Sequence, residues 1–214
     1  MQGRTVAALA AAVVLCAAWL KGYVDPVLPG SEGGPAPAAT TQAGSVGRPA
    51  QLYAAHTPLP PARPLRIDIP SAGIHADLVE RGLTADGAVD PPPYSTPDVA
   101  GWYGRGPAPG DAGAALIVGH VDTRTKAAVF YALSTVTQGD LVEITRSDGS
   151  VAEFAVEGVE IVDKKGFRPD RVYGSGVRPE LRLITCGGTF DAATQSYSAN
   201  VVVYAALTGS HTRA

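Results

Sequence analysis

Leu65-Arg66-Ile67-Asp68-Ile69 alternates apolar and polar side chains without a break, the period of a strand with one buried and one wet face. A helix would need apolar residues three and four apart, so this stretch decides for sheet. Downstream the same reading gives strands at Ala76–Glu80, Ala114–Gly119, Leu141–Arg146, Val151–Val162, Leu181–Cys186 and Asn200–Leu207. Asp86-Gly87, Gly139-Asp140 and the hairpin-type Asp148-Gly149 punctuate them. Helix signals are few, the best being a short one near Ala127–Leu133. About 144 residues with this many short strands imply an all-β closed barrel or sandwich, large enough to bury a real core.

Upstream of the strands the composition changes. Residues 21–62 hold 8 of the 18 prolines and 6 of the 25 glycines, mixed with Ala, Ser and Thr. Such a segment buries too little apolar surface to offset its ordering entropy and reads as a tether. Before it, Thr5 to Leu20 is a 16-residue run without a charge, flanked by Arg4 and Lys21. The run predicts a signal-anchor that leaves a short cytoplasmic N-terminus with Arg4 inside. It extends towards Val24 if Lys21 snorkels. The domain plan is then 1–24 anchor, 25–62 Pro/Gly/Ala-rich linker, 63–208 folded domain and 209–214 tail, in a single-pass protein of the plasma membrane with its domain outside.

Seventeen Lys and Arg against 20 Asp and Glu give a net charge of −3, without the basic footprint of a nucleic-acid binder. Of two cysteines, Cys16 falls in the anchor, so Cys186 is alone in the exported part with no partner for a structural disulfide. Two segments break the strand alternation. Leu116-Ile117-Val118-Gly119-His120 is a buried strand ending in Gly-His, and Leu181-Arg182-Leu183-Ile184-Thr185-Cys186-Gly187-Gly188 is one ending in Cys and two glycines. Each delivers a reactive side chain at a strand end. Alone, a buried thiol or a core histidine is ordinary. Together they fit a thiol nucleophile and its base. Arg182, Ile184 and Cys186 share one strand face, with Arg182 roughly 13 Å from the thiol at the backbone, within reach of a long guanidinium side chain. Thr185 faces the other way and suits packing or a backbone contact, while Asp122 suits a turn cap better than a role in orienting His120. His75 reads as a loop residue, His56 as part of the tether and His211 as part of the tail. The histidines and cysteines show no metal-ligand spacing, so neither metal nor cofactor is expected.

These segments resemble the sortases, the cysteine transpeptidases that attach proteins to the Gram-positive cell wall. Leu183-Ile184-Thr185-Cys186 corresponds to that family's Thr-Leu-x-Thr-Cys strand end, and Gly119-His120 to its Gly-His. Gly119-His120-Val121-Asp122, Val129-Phe130-Tyr131, Gln138-Gly139-Asp140 and Cys186-Gly187-Gly188-x-Phe190-Asp191 look most like the actinobacterial class F branch. The resemblance runs from about Leu65 to Leu207 and implies a closed eight-stranded β-barrel with short helices.

The resemblance also implies the chemistry. The Cys186 thiolate would attack the Thr–Gly carbonyl of an LPxTG-like sorting signal, and His120 would protonate the leaving amine. The acyl group would pass to an amine of a cell-wall peptide or its lipid-linked precursor, with the enzyme acting as a monomer. The family's third residue is an Arg at the start of the last strand, and the corresponding position holds Asn200. Arg182 is therefore the catalytic substitute expected, with Asn200 as a neutral oxyanion donor and Ile184 lining the peptide groove. Two other readings are an L,D-transpeptidase-like acyltransferase, whose Gly-Cys-x-Arg setting Thr185-Cys186 does not match, and an anchored β-module with an inert thiol.

Overall fold

The computed structural model describes residues 49–213 except 86 and 175; the apolar run Thr5–Leu20 and most of the tether lie outside them. Eight strands form a closed barrel: β1 Pro64–Ile69, β2 Ile74–Arg81, β3 Ala100–Tyr103, β4 Ala114–Val118, β5 Leu141–Arg146, β6 Ser150–Asp163, β7 Glu180–Asp191 and β8 Ser196–Thr212. Around the barrel they run β1-β2-β3-β4-β7-β8-β6-β5, and β5 closes it on β1. The β2–β3 and β4–β7 pairs are parallel; the others are antiparallel. One short helix, α1 (Pro169–Tyr173), lies in the β6–β7 connection. Among the described residues no helix is long and apolar enough to cross a membrane.

The alternation of Leu65–Ile69 sends Ile67 and Ile69 into the barrel, where they meet Ile117, Ile144, Phe154, Leu181, Leu183 and Val203. Each fully buried aliphatic there contributes roughly 1.5–3 kcal/mol. The other face of β4 and β7 is buried too. Leu116, Val118 and Ile184 pack with Val202, Tyr204 and Val172 of α1 into a second cluster outside the barrel wall. Burial on both faces explains why β4 reads as a continuous apolar run.

Several expectations need correction, and the strand expected to end at Cys186 runs on as β7 to Asp191. The strand β3 escaped period-2 reading, since Ala100-Gly101-Trp102-Tyr103 has no alternation and three of its residues are buried. The helix near Ala127–Leu133 does not form: Ala127 bridges to Asp122, the Phe130 N–H donates to the His120 carbonyl, and only a 3-10 turn at Leu133–Thr135 remains. Residues 209–212 are not a tail but the end of β8, paired with Ser150–Glu153 of β6. His75 accordingly sits in β2 and His211 in β8, each against a carboxylate, Asp68 and Glu153.

The last part of the expected linker lies on the barrel. The Leu52 and Tyr53 N–H groups donate to the Glu157 carboxylate, Arg178 reaches the Tyr53 carbonyl, the Leu59 N–H donates to the Gly110 carbonyl, and Arg146 donates to the Pro60 carbonyl. Backbone groups with buried partners hold this strap where apolar content alone would not.

Candidate active site

The parallel β4–β7 pair builds the site. Its register sets Val118 against Ile184, and the Gly119 N–H continues the ladder to the Ile184 carbonyl. One step further, past the end of β4 and midway along β7, Thr185 ties the two strands, its hydroxyl donating to the Gly119 carbonyl at 2.8 Å. His120 and Cys186 therefore stand at the same level. Only glycine fits before His120: a Cβ on Gly119 would stand 2.6 Å from Val129 and 2.7 Å from the Phe130 ring. Gly188, just past the thiol, takes φ +78, a left-handed backbone that glycine adopts at no steric cost.

The imidazole of His120 is half-buried. Its Nε2 lies 2.7 Å from the Pro92 carbonyl, and since a carbonyl only accepts, Nε2 carries the proton and Nδ1 is the ring's proton-exchanging atom. Tyr94 stacks on the imidazole at 4.0 Å between centroids and 20° between planes. The Pro91-Pro92-Pro93-Tyr94 segment thus supplies both a polar and an aromatic wall to the histidine.

Cys186 is half-buried and forms no disulfide among the described residues. In the β7–β8 register Asn200 stands opposite it, and the Lys164 ammonium lies 3.8 Å from its sulfur. Nearby, the Tyr197 hydroxyl donates to Asp122 Oδ2 at 2.5 Å. That bond, with burial and the negative charges of Asp122 and Cys186, pushes the Tyr197 hydroxyl up to about 12. Asp122 thus serves a tyrosine. Ile184 is buried in the outer cluster beneath these groups.

Arg182 is where the structure departs from the sequence reading. It shares the Cys186 face, but its side chain is wholly buried and turned the other way along the strand. Nε donates to the Val172 carbonyl at 2.8 Å, Nη1 to the Leu181 carbonyl at 3.0 Å and Nη2 to Glu180 at 2.5 Å, with the guanidinium 4.7 Å from the Tyr204 ring centroid. The expectation that it reaches the thiol is corrected: α1 covers this face, and the buried Glu180 carboxylate draws the guanidinium. Tyr94, Lys164 and Tyr197 escaped sequence reading. A Pro-Pro-Pro-Tyr run is a stiff, ring-bearing loop and was a usable signal for Tyr94; nothing local marked the other two.

Among the described residues Glu143, Glu153 and His211 offer ligand atoms within 4.8 Å of one another. They sit at the opposite end of β8 from Asn200, apart from the thiol.

The closed barrel thus sets a thiol and an imidazole at one level of the adjacent parallel strands β4 and β7. A family model described as a sortase domain matches residues 67–208, and the chain belongs to the sortase family, whose members are cysteine transpeptidases. Sortase A of Listeria monocytogenes shares the fold with a TM-score of 0.54 at 18% identity, over 72% of this chain and 92% of that one. For sortase C-1 of Actinomyces oris the values are 0.53, 19%, 68% and 75%. For the SrtA sortase of the same organism they are 0.54, 16%, 79% and 90%. No curated protein matches the chain.

Proposed function

We propose that this sortase cleaves an LPxTG-like sorting signal between Thr and Gly and transfers the protein to a cell-wall amine, with Cys186 as nucleophile and His120 as acid and base. The Cys186 thiolate attacks the Thr carbonyl carbon and forms a tetrahedral oxyanion. The C–N bond breaks as the His120 imidazolium gives its proton to the departing Gly amine, leaving a thioester. An incoming amine then yields a proton to His120 and attacks the thioester, the C–S bond breaks, and the thiolate returns. Asn200, opposite the thiol, donates an amide hydrogen to the oxyanion, an interaction worth about 3–4 kcal/mol where such donors have been removed. Ile184 forms the apolar floor of the peptide groove.

The observation that carries the reading is the Thr185–Gly119 bond that locks the Cys and His strands together. Family membership disfavours the L,D-transpeptidase reading. Within the family we assign the chain to the class F branch, on the Cys186-Gly187-Gly188-x-Phe190-Asp191 segment. We also propose that residues 1–24 hold it in the plasma membrane as a single-pass, monomeric protein with its barrel outside. The test is transfer of a labelled LPxTG peptide to an amine acceptor. Wild type turns over, and Cys186→Ala and His120→Ala fall by at least about a thousandfold; turnover retained in either variant would overturn the assignment.

A further inference from the structure

We propose that Lys164 is a catalytic residue of this site, its ammonium stabilising the Cys186 thiolate in the resting enzyme. The inference deepens the transpeptidase reading and rests on it for the reaction, though not for the thiol chemistry itself.

Three observations converge. The first is the contact: Lys164 Nζ is 3.8 Å from Cys186 Sγ, a hydrogen-bonding distance for sulfur, and a charged donor is worth roughly twice a neutral one. The second is how the barrel brings the lysine there. Val162 of β6 pairs with Asn200 of β8, which pairs with Cys186 of β7, so the three strands form one ladder at the level of the thiol. The 3-10 turn Lys164–Gly166 begins where β6 ends. It is followed by Phe167, which packs edge-on to Tyr173 of α1 at 5.9 Å and joins the outer cluster. The turn is thus held against the barrel wall, with Lys164 half-buried.

The third is the electrostatic setting. Beta-8 presents a neutral amide, Asn200, opposite the thiol, and Arg182 spends its donors on Glu180 and two carbonyls. Among the described residues, Lys164 after β6 contacts the sulfur, the Tyr197–Asp122 pair lies nearby, and His120 after β4 stands at the level of Cys186. Asp122 adds negative charge and opposes thiolate formation, and Tyr197 stays neutral through physiological pH. Lys164 brings a cation into contact with the sulfur. Opposite charge within about 4–6 Å favours the ionised form, and thiolate is the reactive form. Each unit by which the thiol is lowered raises the thiolate fraction tenfold at pH below it.

The experiment follows iodoacetamide alkylation of Cys186 in the full chain across pH 5–10, read on the Cys186 peptide by mass spectrometry so that Cys16 does not contribute. Lys164→Met and Lys164→Gln are expected to slow alkylation at pH 7 about tenfold and move the profile upward by about one unit. Lys164→Arg keeps it near wild type. Circular dichroism confirms that each variant is folded, and two different neutral replacements guard against one failing to fold. Neutral variants whose profiles superimpose on wild type overturn the proposal. Peptide transfer by the wild type is measured in parallel, and its absence beside a Lys164-dependent thiol breaks the sorting reading while leaving this one standing. Wild-type transfer with a Lys164-independent thiol breaks this one alone.

Discussion

The start and the middle of β7 carry two groups of ionisable side chains with opposite fates. At the Glu180 end, Arg178 bridges Glu157 and Glu180, Arg182 pairs with Glu180, and burial is nearly complete. These charges neutralise one another and fasten the 49–62 strap. Around Cys186 the thiol and imidazole are half-buried and their neighbours are a lysine, an amide, a tyrosine and a backbone carbonyl. A guanidinium saturated by a buried carboxylate is a structural part; a thiol beside a half-buried ammonium is poised to react.

Breaking the first group should cost stability and leave the chemistry alone. Arg182→Met removes one of the two guanidinium partners of the buried Glu180 seen among the described residues, a loss of about 3–5 kcal/mol and of order 10 °C in Tm. The folded fraction should still alkylate at Cys186 at the wild-type rate. Unchanged melting with abolished transfer would instead return Arg182 to the reacting atoms.

A smaller effect is expected at Glu157. Burial raises its carboxyl, but Arg178 and the Leu52 and Tyr53 N–H groups outweigh it and hold the group below its ordinary range. A lowered folded value means that the stabilisation is present above the unfolded value of about 4.3 and is lost as pH falls through the folded one. Glu157→Gln should destabilise by about 1–3 kcal/mol at pH 7 and flatten the acid limb of the melting profile below about pH 4. An acid limb identical to wild type would detach the strap from this carboxylate.

The sequence was most readable where one periodicity meets one environment. Leu65–Ile69 alternates because one face of β1 lies in the barrel, and the Gly-His after β4 stands out because β4 is apolar on both faces. Reading failed where distant partners decide. Ala127–Leu133 has helix-compatible residues, but bonds to Val121 and His120 carbonyls bend it into a turn. Gly209–Thr212 is polar at the barrel rim and pairs through its backbone. The period-2 rule placed Arg182 on the correct face, yet only the packing of α1 decides where its guanidinium goes. Lys164 meets Cys186 through a ladder across three strands that no spacing encodes.

The central claim, that Cys186 forms a thioacyl intermediate with His120 as its proton partner, is tested most directly by intact mass. The full-length enzyme would be quenched in acid shortly after mixing with an LPxTG peptide and no acceptor amine. The expected result is an adduct equal to the peptide up to Thr, located on Cys186, absent in Cys186→Ala and discharged by added amine. No adduct on a folded wild-type enzyme, or an adduct that persists in Cys186→Ala, would contradict it.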